Sequence, residues 1–327
     1  MYKTKLNLID TEKGIKLIKD KFESNLAKEL DLLRVSAPLF VTNKSGLNDN
    51  LNGVETPVSF KIKDDDDTLE IVHSLAKWKR MALKTYNIPN DKGIYTDMNA
   101  IRKDEVLDNL HSIYVDQWDW EKHIVLSERK ISYLKKTVKK IYKAILKTQA
   151  SVINEYPVLE RVFPKKIAFI KSSDLLKMYP DLPSKERENN IAQKYGAVFV
   201  IGIGAKLKNG QPHDLRAPDY DDWKLNGDLL VYYKPMNCAV EISSMGIRVD
   251  RDSLLKQLKA ANKMERISLP FHIALLNDKL PLSIGGGIGQ SRLCLLFLNK
   301  IHIGEVQSSI WTPEIRKSCE DEGIPLL

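Results

Sequence analysis

Phe22, Leu26 and Leu30 recur four residues apart, and Ile131, Leu134, Val138, Ile141 and Ile145 repeat at intervals of three and four. Both spacings stack side chains on one face of an α-helix. The first helix is predicted to begin near Asp10 and Thr11, either of which can cap it, and to end in "RVSAPLF", where Pro38 stops it. The second is predicted over residues 127–155. Strand-like runs fall at 57–62 and 68–73, around the charged turn "KDDDDT", and in "GIYTDMNAIR" and "HSIYVDQWDWE", around "KDEVLDNL". A shorter helical stretch near 185–195 leads into the apolar run "AVFVIGIG". A polar loop around "RAPDYDDW" comes next, then the strands "DLLVYY" and "AVEISS", a glycine cluster and a last helix over roughly 290–299. Strands outside a parallel βαβ rhythm, with helices inserted at intervals, predict an α+β fold with a mostly antiparallel sheet. No repeat, linker or composition break divides the pattern, so one domain over 1–327 is expected.

Composition adds limits. A chain of 327 residues, 43% hydrophobic, can bury a sizeable core. The N-terminus is charged and has no signal-peptide run, no stretch is long and apolar enough to span a bilayer, and the expected address is cytoplasmic, with no membrane partner. Cys238, Cys294 and Cys319 are too scattered for a disulfide framework or a thiolate site. The net charge of +8 favours polyanions, nucleotides among them, but much of it comes from "KISYLKKTVKKIYKAILK", where lysines take the solvated faces of the long helix. The four aspartates of "KDDDDT" read as a solvated hairpin tip rather than a metal site.

Four stretches carry chemistry. "SIGGGIGQSRL" removes Cβ atoms at Gly285, Gly286, Gly287 and Gly289, which permits positive φ or close approach of a ligand, the alternative being a tight strand-to-helix turn. It is not the dinucleotide fingerprint: Arg292 follows it, a planar cation able to stack on a base and fork onto phosphate. On "HSIYVDQWDWE", period two puts Val115, Gln117 and Asp119 on one face and Asp116, Trp118 and Trp120 on the other. An amide beside a carboxylate suits a small zwitterion, or else bonds to neighbouring strands. Glu241 in "AVEISSMGIR" is costly to bury unless it is paired, with Arg248 for instance, or holds a cation. Lys77, Lys79 and Arg80 in "HSLAKWKR" read either as part of a site or as a solvated helix end.

Together these stretches resemble the class II aminoacyl-tRNA synthetase catalytic core. The passage to Pro38 looks like its dimer-forming motif 1, the segment from Arg102 to Glu121 like motif 2, and "GGGIGQSR" like motif 3. "DQWDWE" and "HSLAKWK" are similar to the aspartate-specific branch, with Gln117, Asp119, Glu121 and Lys79 in matching places. Across nearly the full length, "NLNG", "HSLAKWKR", "VDQWDWE", "RAPDYDDW", "LNGD", "SSMGIR" and "IGGGIGQSR" resemble the ammonia-dependent aspartate–ammonia ligases. The chain begins almost directly with motif 1, leaving no room for an anticodon-binding barrel, and position 2 is Tyr2 rather than the cysteine of glutamine-dependent enzymes.

The resemblance implies asparagine synthesis from L-aspartate, ammonia and ATP through β-aspartyl-AMP, in a homodimer joined through motif 1 and without nucleic acid. It places Arg102, Asp104 or Glu105, His111, Gly287, Gly289 and Arg292 on ATP, with either acid reading the adenine. Lys79, Ser74, Asp119, Gln117 and Arg248 fall on aspartate, reversed relative to the synthetases so that Arg248 meets its α-carboxylate and Asp119 its ammonium. Glu241, Asp228 and Ser244 are assigned to Mg²⁺. Gln117 and Asp49, the latter on a loop able to close, are assigned to ammonia, and Asp49 to its proton. Two departures stand out: Val115 replaces an aromatic residue beneath the base, and the connection from Trp223 to Leu225 is short. The competing readings are a synthetase-like paralogue with another acceptor and a non-enzymatic nucleic-acid binder.

Overall fold

The computed structural model describes residues 2–49, 55–64 and 66–327. In chain order its helices and strands are α1 (Leu8–Leu30), β1 (Leu32–Arg34), β2 (Phe40–Thr42), β3 (Ser59–Lys61), β4 (Thr68–Ile71), α2 (Ala76–Thr85), β5 (Gly93–Ile101), β6 (Tyr114–His123), α3 (Ile131–Glu155), β7 (Ala168–Lys171), α4 (Ser172–Met178), α5 (Ser184–Tyr195), β8 (Ala197–Ile201), β9 (Asp221–Tyr233), β10 (Cys238–Arg248), α6 (Arg251–Ala260), α7 (Pro270–Leu276), β11 (Ser283–Gly289), α8 (Gln290–Phe297) and α9 (Pro313–Glu322). Eight strands form one sheet in the order β1-β5-β6-β11-β10-β9-β8-β7, and β2-β4-β3 form a small second sheet. All pairings in the large sheet are antiparallel except β1 with β5 and β7 with β8 at its two edges. The α+β reading holds.

Period two on β6 explains the layering. Trp118 and Trp120 are fully buried on one face, with the Trp118 ring 4.7 Å from that of Phe22 on α1. Leu26 and Leu30 of α1, Val138, Ile141 and Ile145 of α3, and Leu293 and Leu296 of α8 complete this core. Each such side chain stabilises the fold by roughly 1.5–3 kcal/mol. The opposite face is covered at one end by α5, whose Ile191 and Ala192 pack on β8 and β9, and at the other by α2. Its middle remains open.

Several boundaries differ from expectation. Asn7 caps α1 by accepting the Asp10 N–H at 2.9 Å, which places Asp10 inside the first turn, where its charge complements the helix dipole. The helix ends at Asp31, which adopts φ 59° and turns the chain into β1, well before Pro38. The long helix begins at Ile131, β9 begins inside "RAPDYDDW", and α9, which buries Cys319, was not anticipated. All three cysteines are free thiols.

Candidate active site

The open middle of the sheet is a cavity of about 410 Å³. Its floor is set by strand register. Gln117, Asp119 and Glu121 of β6 lie opposite Gly289, Gly287 and Gly285 of β11. One row across the sheet then reads Asp228, Ser244, Gly287, Asp119. A Cβ on Gly285 would fall 1.9 Å from Glu121 Oε2, and one on Gly287 would fall 2.1 Å from Gln117 Oε1. None of the four glycines has positive φ, and they form a strand rather than a turn. The close approach is therefore made by the chain's own carboxylates and amide, which lean across the missing side chains.

At one end of this floor every charge has a partner. Lys79 Nζ, almost fully buried, lies 2.8 Å from Asp119 Oδ2 and donates to Gly286 O at 3.0 Å. Burial pulls this ammonium below its ordinary range, and Asp119 opposes the pull. Asp119 lines the cavity, and its Oδ1 is buried with no hydrogen-bond partner among the described residues. Arg248 donates to Glu121 from Nε at 2.9 Å and Nη2 at 2.7 Å, and to Asp221 from Nη1 at 2.5 Å. Burial alone would push Glu121 up, but Arg248 and Lys79 hold it below the usual carboxylate range. The open pairing of Glu241 with Arg248 does not occur. Nor is "HSLAKWKR" a solvated helix end: Lys77 is 3.6 Å from Asp219, and Arg80 donates to Val249 O and Pro281 O at 2.6 and 2.9 Å. Ser74 lines the cavity and accepts the Ala76 N–H at 3.1 Å.

The other end differs. Arg102 lines the cavity, and among the described residues it has no salt bridge and its buried Nε no hydrogen-bond partner. Arg292 enters from the first turn of α8 and, among the described residues, donates only to Glu241 O, at 3.0 Å; Gly289 leaves it room. His111 lines the same wall, held by Asp108 at 2.8 Å. Of the two acids left open, Glu105 lies on the cavity wall. Asp104 turns away, accepting the Thr56 N–H at 3.0 Å and pairing with Lys103, contacts that hold its carboxyl down at about 2. Val115 also lines the cavity.

Three residues are assigned to magnesium, Glu241, Asp228 and Ser244. Glu241 and Ser244 line the cavity and Asp228 does not. Arg216 lies across the pair, donating to Ser244 Oγ and, at 2.5 Å, to Asp228 Oδ1. Among the described residues no three His, Cys, Asp or Glu side chains gather to hold a metal ion. Sequence reading took "RAPDYDDW" for a polar loop and missed both Arg216 and Asp221. The signal available was the string of charges there, which needs buried partners if the loop folds inward. Asp49 is buried on the cavity wall beside His73, whose Nδ1 is 3.1 Å from Asp49 O. The rest of its expected closing loop, including "NLNG", lies outside the described residues.

A family model for aspartate-ammonia ligase matches residues 9–323. An aspartate–ammonia ligase of Clostridium perfringens is 58% identical over 327 residues, covering 100% of this chain and 97% of that one. One from Fusobacterium nucleatum is 58% identical over 326 residues, covering 100% and 99%. Among solved structures, asparaginyl-tRNA synthetase of Entamoeba histolytica in complex with asparaginyl-adenylate matches with a TM-score of 0.65 at 15% identity, over 92% of this chain and 66% of that one. The Pyrococcus horikoshii enzyme, also complexed with asparaginyl-adenylate, matches with a TM-score of 0.67 at 15% identity, over 91% and 68%. The chain thus spans about two thirds of these synthetases' length, and the likeness is one of fold, that of the class II synthetase catalytic core.

Proposed function

The chain belongs to the aspartate–ammonia ligase family, and from that premise we propose that it makes L-asparagine from L-aspartate, ammonia and ATP through β-aspartyl-AMP. A non-enzymatic nucleic-acid binder does not fit that family. The observation that carries the reading is Asp119, a residue of the cavity wall: one carboxylate oxygen is spent on Lys79 and the other has no partner among the described residues. That unspent acceptor suits the α-ammonium of aspartate. Lys79 has used two of its three donors, and Arg248 keeps one N–H on each terminal nitrogen, so both can still meet carboxylate. With Arg248 on the α-carboxylate, the β-carboxylate points toward the nucleotide end.

There Arg102 and Arg292 hold the phosphates and Glu105 reads the adenine. A β-carboxylate oxygen attacks the α-phosphorus, the bond to the β-phosphate breaks and pyrophosphate leaves. Ammonia then attacks the acyl carbon and expels AMP, Gln117 placing the amine and Asp49 taking a proton. Catalysis in this scheme is positioning and charge neutralisation, which preorganised donors supply. With Arg216 on Asp228 and Ser244, no step is routed through a protein-held metal. The exposed Leu33 of β1, Leu39, and Phe40 of β2 suit a second copy of the chain, as a dimer through this region requires. Among the described residues no helix is long and apolar enough to cross a membrane, which suits a cytoplasmic reaction. Incubation with aspartate, MgATP and ammonium is expected to give AMP and asparagine in equal amounts. ADP as product, or transfer of the aspartyl group to tRNA, would overturn the proposal.

A further inference from the structure

The cation on Asp228 and Ser244 is a guanidinium, and the way it is held suggests a role. Arg216 spends its terminal nitrogens on Ser244 Oγ and Asp228 Oδ1, yet its Nε is buried with no hydrogen-bond partner among the described residues, while the residue lines the cavity. A buried donor without an acceptor is costly, and a ligand atom is one means of satisfying it. The loop carrying Arg216 is tied down on both sides. His213 Nε2 lies 3.0 Å from Glu188, and Asp219 binds Arg266 at 2.8 Å and His272 at 3.0 Å. Those contacts fix where the guanidinium is presented.

Asp228 for its part needs a cation. It is buried, and the cation it has is Arg216, whose Nη2 donates to Asp228 Oδ1 at 2.5 Å. A divalent ion would use the same two oxygens, Asp228 Oδ1 and Ser244 Oγ. They serve one cation at a time.

We propose that Arg216 is the resident cation of the nucleotide site: it holds Asp228 and Ser244 in place of a divalent ion and turns its unspent donors to the phosphates of ATP. This rests on the reading that the cavity binds ATP. It adds a third guanidinium to Arg102 and Arg292, and it means that the nucleotide-free protein carries no divalent ion at this position.

Two titrations test it. Free Mn²⁺ followed by electron paramagnetic resonance, without nucleotide, is expected to reveal no site in the wild type and one new site in Arg216→Gln. ATP binding in EDTA, measured by calorimetry, is expected to be about tenfold or more weaker in Arg216→Gln, the loss of one charge-assisted hydrogen bond. Stoichiometric Mn²⁺ binding by nucleotide-free wild type overturns the proposal. So does an Arg216→Gln protein that gains no Mn²⁺ site or binds ATP as the wild type does. If that variant fails to fold, the wild-type Mn²⁺ titration decides alone. If the wild type binds no ATP even with magnesium, the reading of the cavity falls as well, whereas equal ATP binding by the two proteins removes only the role given to Arg216.

Discussion

The two ends of the cavity solve opposite problems with the same side chains. Around Asp119 and Glu121, Lys79 and Arg248 are neutralised in advance by carboxylates, almost fully buried and fixed by several hydrogen bonds. Around Arg102 and Arg292 no carboxylate answers the guanidinium groups among the described residues. A small zwitterion brings both signs of charge, so its pocket can be a closed lattice with a few donors and one acceptor left over. A triphosphate brings only negative charge, and cations without partners are what attract it. Stability should therefore reside in the first end and transition-state stabilisation in the second.

That division can be broken by mutation. Glu121→Ala leaves Arg248 with Asp221 as its one carboxylate in a dry interior, and chemical denaturation should reveal a loss of about 3 kcal/mol, the low end for a broken buried pair. Arg102→Ala should lower ATP–pyrophosphate exchange by about 10²–10³-fold, equivalent to roughly 2.7–4 kcal/mol. Its unfolding free energy should stay within about 0.5 kcal/mol of wild type, since among the described residues no carboxylate pairs with its side chain. A destabilised Arg102→Ala would erase the distinction between the two ends. Gly287→Ala puts a methyl group 2.1 Å from Gln117 Oε1 and 2.7 Å from Asp119 Oδ1. The expected overpacking cost is about 1–3 kcal/mol of folding stability, read by chemical denaturation, with weaker aspartate binding beside it.

The pH dependence sharpens the same contrast. Glu121 is held below its ordinary range in the folded protein, so the unfolded chain takes up its proton first as pH falls. Its stabilising share is complete above the unfolded value of about 4.3 and is lost as pH drops through the folded one. Denaturation midpoints in acid should fall less steeply for Glu121→Gln than for wild type. The smallest expected effect separates the neighbouring acids: Glu105→Gln should weaken ATP binding, whereas Asp104→Asn, on the outer side, should change it by less than about 0.5 kcal/mol. Calorimetry on the two variants checks the order.

Much of this architecture was legible in the residues. Alternation on β6 separates Trp118 and Trp120 from Gln117 and Asp119 without further information, and the spacing of α3 gives its buried face. The purpose of the glycines was not legible. A cluster of them reads locally as turn or ligand contact, but their partners are Gln117, Asp119 and Glu121, more than 150 positions earlier, and only strand register brings these together. The buried cations of α2 were hidden for a similar reason: Lys77, Lys79 and Arg80 look solvated until Asp219, Asp119 and the carbonyls of Val249 and Pro281 arrive from distant segments. Arg216 was missed because a string of charges in a polar loop reads as solvated, and its need for buried partners shows only once the loop folds onto the sheet.

The central claim is that the aspartate end delivers the β-carboxylate to the α-phosphorus at the nucleotide end. Aspartate labelled with ¹⁸O in its β-carboxylate, turned over with ATP and ammonium, tests it most directly. One labelled oxygen is expected in the phosphate of AMP. Unlabelled AMP, with the label in inorganic phosphate instead, would contradict the account.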